Sequence, residues 1–256
     1  HVMEWDEAQH FPIDLFHEMG QYGFLGVLVP EAYGGAGLNY QAYITVIEEI
    51  AKVCGSIGLS VAAHNSLCTN HILMFGDEEQ KQKYLPRLAS GEWIGAWGLT
   101  EPNTGSDAGR MRCVAEKDGD YYVLNGSKNF ITHGKSGHVA VVIARTGGNG
   151  TDRDGLSAFI VDANADGVSR RGYETIDGLR AAEITFNKAA AELLGEEGKA
   201  IDALEASLAL GIVALCAEAT GAMEVACDQT LAYIKERQQF GVAIGKFQAL
   251  QHRMVE

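Results

Sequence analysis

The densest set of groups able to hold a polar ligand lies in Trp97-Gly-Leu-Thr-Glu-Pro-Asn-Thr-Gly-Ser-Asp-Ala-Gly109. Thr100, Thr104 and Ser106 supply hydroxyls that both donate and accept, and the glycines let backbone N–H groups approach a ligand closely. Such a stretch can cradle a pyrophosphate or the polar edge of a ring. The same composition also serves as a turn-rich connection from helix to strand, and composition alone leaves the two readings level. Other candidates carry less. His64, His71, His133 and His138 lack a metal-ligand spacing, and lone histidines are usually satisfied locally. His64-Asn65-Ser66 is no triad signal, because triads are assembled in space and not in sequence. Gly34-Gly-Ala-Gly37 lacks the full dinucleotide fingerprint and a βαβ frame, so it reads as a turn.

The elements that must position these residues follow from composition and periodicity. The chain has 256 residues, enough to bury a sizeable core. Its 20 basic and 34 acidic side chains give a formal charge of −14, which disfavours nucleic acid and anionic membranes as partners. No run of about 18 apolar residues is apparent, so no membrane span is expected. The five cysteines are widely spaced with no C-x-x-C pair, which suggests reduced thiols and no metal site.

Residues 1–95 read as a helical domain. Ile44, Ile47 and Ala51 form one stripe beside Val46, Ile50 and Val53, with Gly55 as a stop signal. Asp77 is the expected N-cap of a helix over Glu78–Leu88, with Gln80 completing a capping box. Residues 96–190 read as a small, mostly antiparallel β domain. Asp118-Gly119 signals a hairpin before Tyr121; His138–Ala144 and Leu156–Val161 read as strands; Asn125-Gly126, Gly147-Gly148 and Asp154-Gly155 punctuate them. Helix returns over 191–256. Ile201, Leu204, Leu208, Ile212, Leu215, Ala219, Ala222, Ala226 and Tyr233 recur at helical spacing, and so long an apolar stripe calls for covering partners. The fold class is therefore α+β: an N-terminal helical domain, a central antiparallel β domain and the start of a C-terminal helical bundle.

Four ordered stretches carry a family resemblance. Trp97–Gly109 resembles a signature of the acyl-CoA dehydrogenase family. Phe24-Leu-Gly-Val-Leu-Val-Pro-Glu-Ala-Tyr-Gly-Gly-Ala-Gly37 is similar to its N-terminal pattern, and Asn125-Gly-Ser-Lys-Asn-Phe-Ile-Thr132 to its flavin-edge strand. Glu236-Arg-Gln-Gln-Phe-Gly241 with Phe247-Gln248 is similar to its second signature. The resemblance covers nearly all of the sequence. Up to about Asp166 it is closest in texture to short-chain members; Tyr173–Arg180 and Ala214–Ala219 look more like subunits acting on dicarboxylyl or sterol-side-chain thioesters.

The resemblance implies FAD held between the β domain and the C-terminal helices, and α,β-desaturation of an acyl-CoA with electrons passed to electron-transfer flavoprotein. Carried over, Trp97, Leu99 and Thr100 are expected along the flavin ring, with Phe130, Ile131 and Thr132 on the flavin-edge strand, Phe130 standing where many members have Trp. Ser106 is expected near the FAD pyrophosphate and the acyl-CoA. Arg237, Phe240 and Gln248 are expected on the adenine half of FAD, in the family usually that of a neighbouring subunit. A guanidinium suits a pyrophosphate because it donates in a rigid fork. The family further implies an oligomer, homo- or heteromeric and typically a tetramer, in the bacterial cytoplasm or the mitochondrial matrix.

The catalytic base has no assigned residue. In most members it is a Glu on the C-terminal side of the second signature, so it is expected beyond Glu256, the sequence being incomplete at its C-terminus. In others it lies on the helix carrying Gly211, where Ala209, Leu210 and Ile212 offer no carboxylate; Glu205 and Glu218 stand about two turns away. The alternatives are a non-catalytic flavin- or CoA-binding subunit of a heteromeric enzyme, and an acyl-CoA oxidase.

Overall fold

The computed structural model describes residues 1–176 and 180–255. Helices come first: α1 (Val2–Ala8), α2 (Ile13–Gln21), α3 (Tyr40–Ala51), α4 (Gly55–Ala62), α5 (Asn70–Phe75) and α6 (Glu78–Ala89). A π-helical turn, Ala63–Thr69, joins α4 to α5 without a break. Seven strands follow: β1 (Gly95–Gly98), β2 (Val114–Asp118), β3 (Tyr121–Ile131), β4 (Val139–Arg145), β5 (Leu156–Asp162), β6 (Val168–Glu174) and β7 (Arg180–Leu194). The 37-residue α7 (Ala200–Glu236), a short hairpin of β8 (Gln238–Gln239) and β9 (Val242–Ala243), and α8 (Gln248–Arg253) complete the order. The Tyr173–Arg180 motif falls partly on residues 177–179, outside the described residues.

Local sequence explains the helix ends. Asn39 caps α3 by accepting from the Ala42 N–H. Asp77 and Gln80 form the expected capping box on α6. Gly55 is not a stop: α3 ends at Ala51, and Gly55 opens α4 behind Cys54. Close packing does constrain the start of α4: a Cβ at Gly58 would lie 3.2 Å from Ala51, at the crossing with α3.

The sheet path β4-β2-β3-β7-β5 returns to β4 and closes into a barrel-like wall, with β1 added to β4 and β6 to β7. β1 and β2 run parallel to β4; the other pairings are antiparallel. All seven residues of β4 are buried. Val139, Val141 and Ile143 join a core shared with the helices, whereas Ala140, Val142 and Ala144 fill the barrel interior. A strand covered on both faces explains the continuous apolar run at 138–144. Asn125-Gly126 is not a turn. It lies inside β3 opposite a bulge in β7: Lys188 is the extra residue, at φ 52°, and its N–H donates to the Asn125 side chain at 3.0 Å, while Gly126 takes φ 140°.

α7 corrects two expectations. Its packed face is made of small residues, among them Ala203, Ser207, Ala214, Ala217 and Gly221; of the anticipated stripe only Leu204 is buried, and Ile212, Leu215 and Tyr233 are exposed. Small residues win because α3 and α4 cross α7 closely: a Cβ at Gly221 would collide with the Glu48 carbonyl. Contrary to the sequence reading, α7 is also long and apolar enough to cross a membrane, with a window of mean hydropathy 1.9. Alanine-rich composition without a continuous run of large apolar side chains hides this by eye.

Three histidines lie buried in the helical layer and beneath it. Burial pulls His64 down to about 3, and His71 and His133 to about 4. Since each is neutral when folded but takes a proton near 6.5 when unfolded, stability is full above that value and falls as pH drops below it. The slope approaches about 1.4 kcal/mol per pH unit for each histidine. Urea midpoints are expected to stay level from neutral to mildly alkaline pH and to decline below pH ~6.5; a level profile through mildly acid pH contradicts this. Gly221→Val is expected to cost about 2 kcal/mol by overpacking the α3–α7 crossing, with exposed Ala219→Val as the near-neutral control, both read by urea denaturation.

Candidate functional site

β1 leaves the helical layer at Gly95 and delivers Trp97, Leu99 and Thr100 to the end of the barrel. β3 arrives beside it with a bulge of its own between Lys128 and Ile131. There Phe130 adopts φ 54° and stands 65% exposed, its N–H donating to the Tyr173 hydroxyl at 3.0 Å. The Asn129 N–H donates to the Thr100 carbonyl at 2.7 Å, joining the two segments.

Together with Ala63 and Leu67 of the π-helical turn, these residues enclose a cleft of about 190 Å³. Gly95, Trp97, Leu99, Thr100, Asn129, Phe130 and Thr132 form its remaining walls. Leu67, Leu99, Trp97 and Phe130 supply its apolar walls, while Thr100 and Thr132 add hydroxyls. Trp97 Nε1 and Asn129 Oδ1 are buried without a partner within the protein. Each such atom costs about 1–3 kcal/mol unless a ligand satisfies it. A flat heteroaromatic with donors and acceptors on its edge suits one unpaired donor, one unpaired acceptor and apolar faces.

A buried ion pair ties together the segments that wall the cleft. Lys128 Nζ lies 2.7 Å from Glu101 Oε1, with side chains 0% and 2% exposed. Lys128 also donates to the Leu99 carbonyl at 3.1 Å, and Glu101 accepts from the Arg112 and Cys113 N–H groups at 2.6 and 3.0 Å. Loss of hydration pulls the Lys128 ammonium below its usual range despite the carboxylate beside it. The Trp97–Gly109 segment is therefore pinned to β3 on one side and to the start of β2 on the other.

The other anticipated site residues lie elsewhere. Ile131 turns its side chain into the barrel core, as two-residue alternation requires next to Thr132. Ser106 is exposed on the loop beyond the cleft. Arg237, Phe240 and Gln248 are exposed around the terminal hairpin, with Phe240 packed edge-on against Phe247, and none of them lines the cleft. Among the described residues no group of three or more His, Cys, Asp or Glu could hold a metal ion.

Comparison with known proteins places this geometry. The acyl-CoA dehydrogenase N-terminal domain matches residues 1–92, the middle domain 96–189 and the C-terminal domain 186–256. The chain belongs to the acyl-CoA dehydrogenase family. It is 42% identical to a short-chain-specific acyl-CoA dehydrogenase of Clostridium acetobutylicum, over 99% of this chain and 68% of that one. A protein in a structure described as the electron transferring flavoprotein of Acidaminococcus fermentans superimposes with a TM-score of 0.94 at 41% identity, covering 99% of this chain and 68% of that one. A glutaryl-CoA dehydrogenase of Mycobacterium smegmatis in complex with FADH2 superimposes at 0.89 with 30% identity, over 98% and 65%.

Among the described residues, none that lines this cleft carries a carboxylate able to act as the base of an acyl-CoA dehydrogenase. A Cβ built on Gly211 would stand 3.2 Å from Leu67, so the position faces the helical wall but offers no side chain. Glu205 pairs with Arg153, and Glu218, raised by burial, lies against Gly55 and Gly58. Sequence reasoning missed Ala63, Leu67, Asn129 and the Lys128–Glu101 pair. The last two lie inside the family motifs; the π-helical turn left no sequence signal. Lys128→Met is expected to destabilise the fold by about 3–5 kcal/mol, because Glu101 is left buried without its counter-charge. Lys128→Met/Glu101→Gln should recover part of that loss in chemical denaturation; no recovery contradicts the pairing.

Proposed function

We propose that the cleft between β1, the β3 bulge and the π-helical turn seats the ring of FAD, and that the chain takes part in α,β-dehydrogenation of a short acyl-CoA. When bound, FAD supplies the electron acceptor for removal of hydrogen from the acyl group. Thr100 and Thr132 hydroxyls, the Trp97 N–H and the Asn129 carbonyl offer hydrogen bonds to the ring edge. Leu67, Leu99 and Phe130 keep water from its faces. The observation that carries this reading is one cleft walled by Trp97, Leu99, Thr100, Phe130 and Thr132, with buried polar atoms of two lining residues, Trp97 and Asn129, left without a partner in the protein.

Short-chain substrates are favoured by the Clostridium acetobutylicum relative, and electron-transfer flavoprotein as acceptor by the Acidaminococcus fermentans structure. Ser106 is proposed near the pyrophosphate. Arg237, Phe240 and Gln248 are proposed to reach FAD in a neighbouring subunit of a tetramer, a role that suits their exposure and that of Ile212, Leu215 and Met223 on α7. The compartment is proposed as the bacterial cytoplasm or the mitochondrial matrix. The missing carboxylate at the cleft favours one second reading: a flavin-binding subunit whose base comes from a partner.

The test is the visible absorbance of purified protein incubated with FAD and then desalted. Retained yellow cofactor is expected, and Thr100→Val should weaken FAD binding about fivefold through loss of one hydrogen bond. FAD that does not bind, or binds unchanged in both Thr100→Val and Trp97→Ala, contradicts the assignment. Bleaching by butyryl-CoA under anaerobic conditions separates the two readings: it requires a base within the preparation.

A further inference from the structure

Two buried histidines converge on the backbone of one residue, Gly95, at the start of β1. His64 Nδ1 accepts from the Gly95 N–H at 3.1 Å, while its Nε2 faces the Leu88 carbonyl at 3.2 Å. His133 Nδ1 faces the Gly95 carbonyl at 3.1 Å. These bonds fix both rings as neutral tautomers: His64 protonated on Nε2, His133 on Nδ1. In a strand that pairs in parallel, the N–H and C=O of one residue point to the same edge. The histidines thus occupy the edge of β1 opposite β4, and Trp97, two residues on, presents its backbone on that same edge, toward the cleft.

The surroundings give up local stability to make this arrangement. His133 sits at φ 59°, a conformation few side chains adopt, and its Nε2 is buried without a partner. The His64 ring rides on the π-helical turn, which also brings Ala63 and Leu67 to the cleft. Gly95 must be glycine, since a Cβ there would lie 2.6 Å from Cys68 Sγ. Phe11 and Phe16 close over the His133 ring, at 5.3 and 5.7 Å between centroids. An unusual turn, a left-handed histidine and an unsatisfied nitrogen all meet at the residue that begins the cleft.

We propose that His64 and His133 are positioning residues: from the π-helical turn and from the turn after β3 they clamp the backbone N–H and C=O of Gly95 and so set where β1 presents Trp97, Leu99 and Thr100 to the flavin. The link to flavin rests on the reading of the cleft given above; the clamp itself does not.

Matched variants separate the bond to Gly95 from the other bond of each ring. In His64→Asn the side-chain oxygen replaces Nδ1 and still accepts from Gly95, while the bond to Leu88 is lost. In His64→Gln the side-chain amide still reaches Leu88, while the bond to Gly95 is lost. His133→Asn keeps a donor for the Gly95 carbonyl and tolerates the left-handed backbone; His133→Leu does not. Hydrogen exchange by mass spectrometry on the protein without FAD reads the clamp. Exchange across 95–98 should accelerate about tenfold in His64→Gln and His133→Leu and stay within about twofold in the Asn variants. FAD affinity should fall in the same two variants, by about tenfold, and hold in the Asn pair. Equal exchange at 95–98 in the Asn and Gln variants of His64 overturns the clamp. Altered exchange with unchanged FAD affinity overturns its role in the site, and wild-type protein that binds no FAD overturns the flavin reading while leaving the clamp standing. If His133→Leu does not fold, the His64 pair alone decides.

Discussion

Lys128 and Glu101 meet at 2.7 Å with almost no access to water, and the shape of the cleft depends on that meeting. An ion pair so enclosed gains little net stability, because desolvating both charges offsets most of their attraction. Its value is directional. The ammonium also holds the Leu99 carbonyl, and the carboxylate also holds the Arg112 and Cys113 N–H groups. One interaction therefore fixes three segments at once: the end of β1, the bulged β3 and the start of β2. A loop rich in glycine and hydroxyls would otherwise sample many conformations, and ordering it at the moment of ligand binding would cost affinity.

The barrel supplies the rigid frame for that pair. β4 buries alternate residues in two different cores, so it cannot shift register without exposing one of them. β1 hangs on β4 in parallel register and inherits that rigidity along one edge. Its other edge is held by the helical layer. Two bulges do the complementary work: the one in β7 at Lys188 lies across from Asn125-Gly126, where Gly126 packs against Cys113, and the one in β3 turns Phe130 outward while aiming Asn129 at Thr100.

Much of this was legible in the sequence, for identifiable reasons. The Asp77 capping box, the Asp118-Gly119 hairpin and the β-branched runs of β4 and β5 are local signals that no tertiary contact overrides. Trp97, Leu99, Thr100, Phe130 and Thr132 share one cleft, as their motifs implied. What was not legible depends on tertiary contact. The packed face of α7 is decided by how closely α3 and α4 approach, which favours Gly221 and alanines over the larger apolar residues of the apparent stripe. Asn125-Gly126 is a turn dipeptide, yet pairing with β7 on either side of it keeps β3 going, and the irregularity is taken up at Lys188 of β7. The π-helical turn that brings His64 and Leu67 to the site is set by packing against β1 and has no compositional mark.

The central claim is that a flavin ring sits between β1, the β3 bulge and the π-helical turn. Comparing hydrogen exchange of the unmodified protein with and without saturating FAD tests it most directly. Slowed exchange concentrated at residues 95–100 and 128–132, with the core strand β4 unaffected, is the result this account predicts. Saturation by FAD with protection confined to other segments would contradict it.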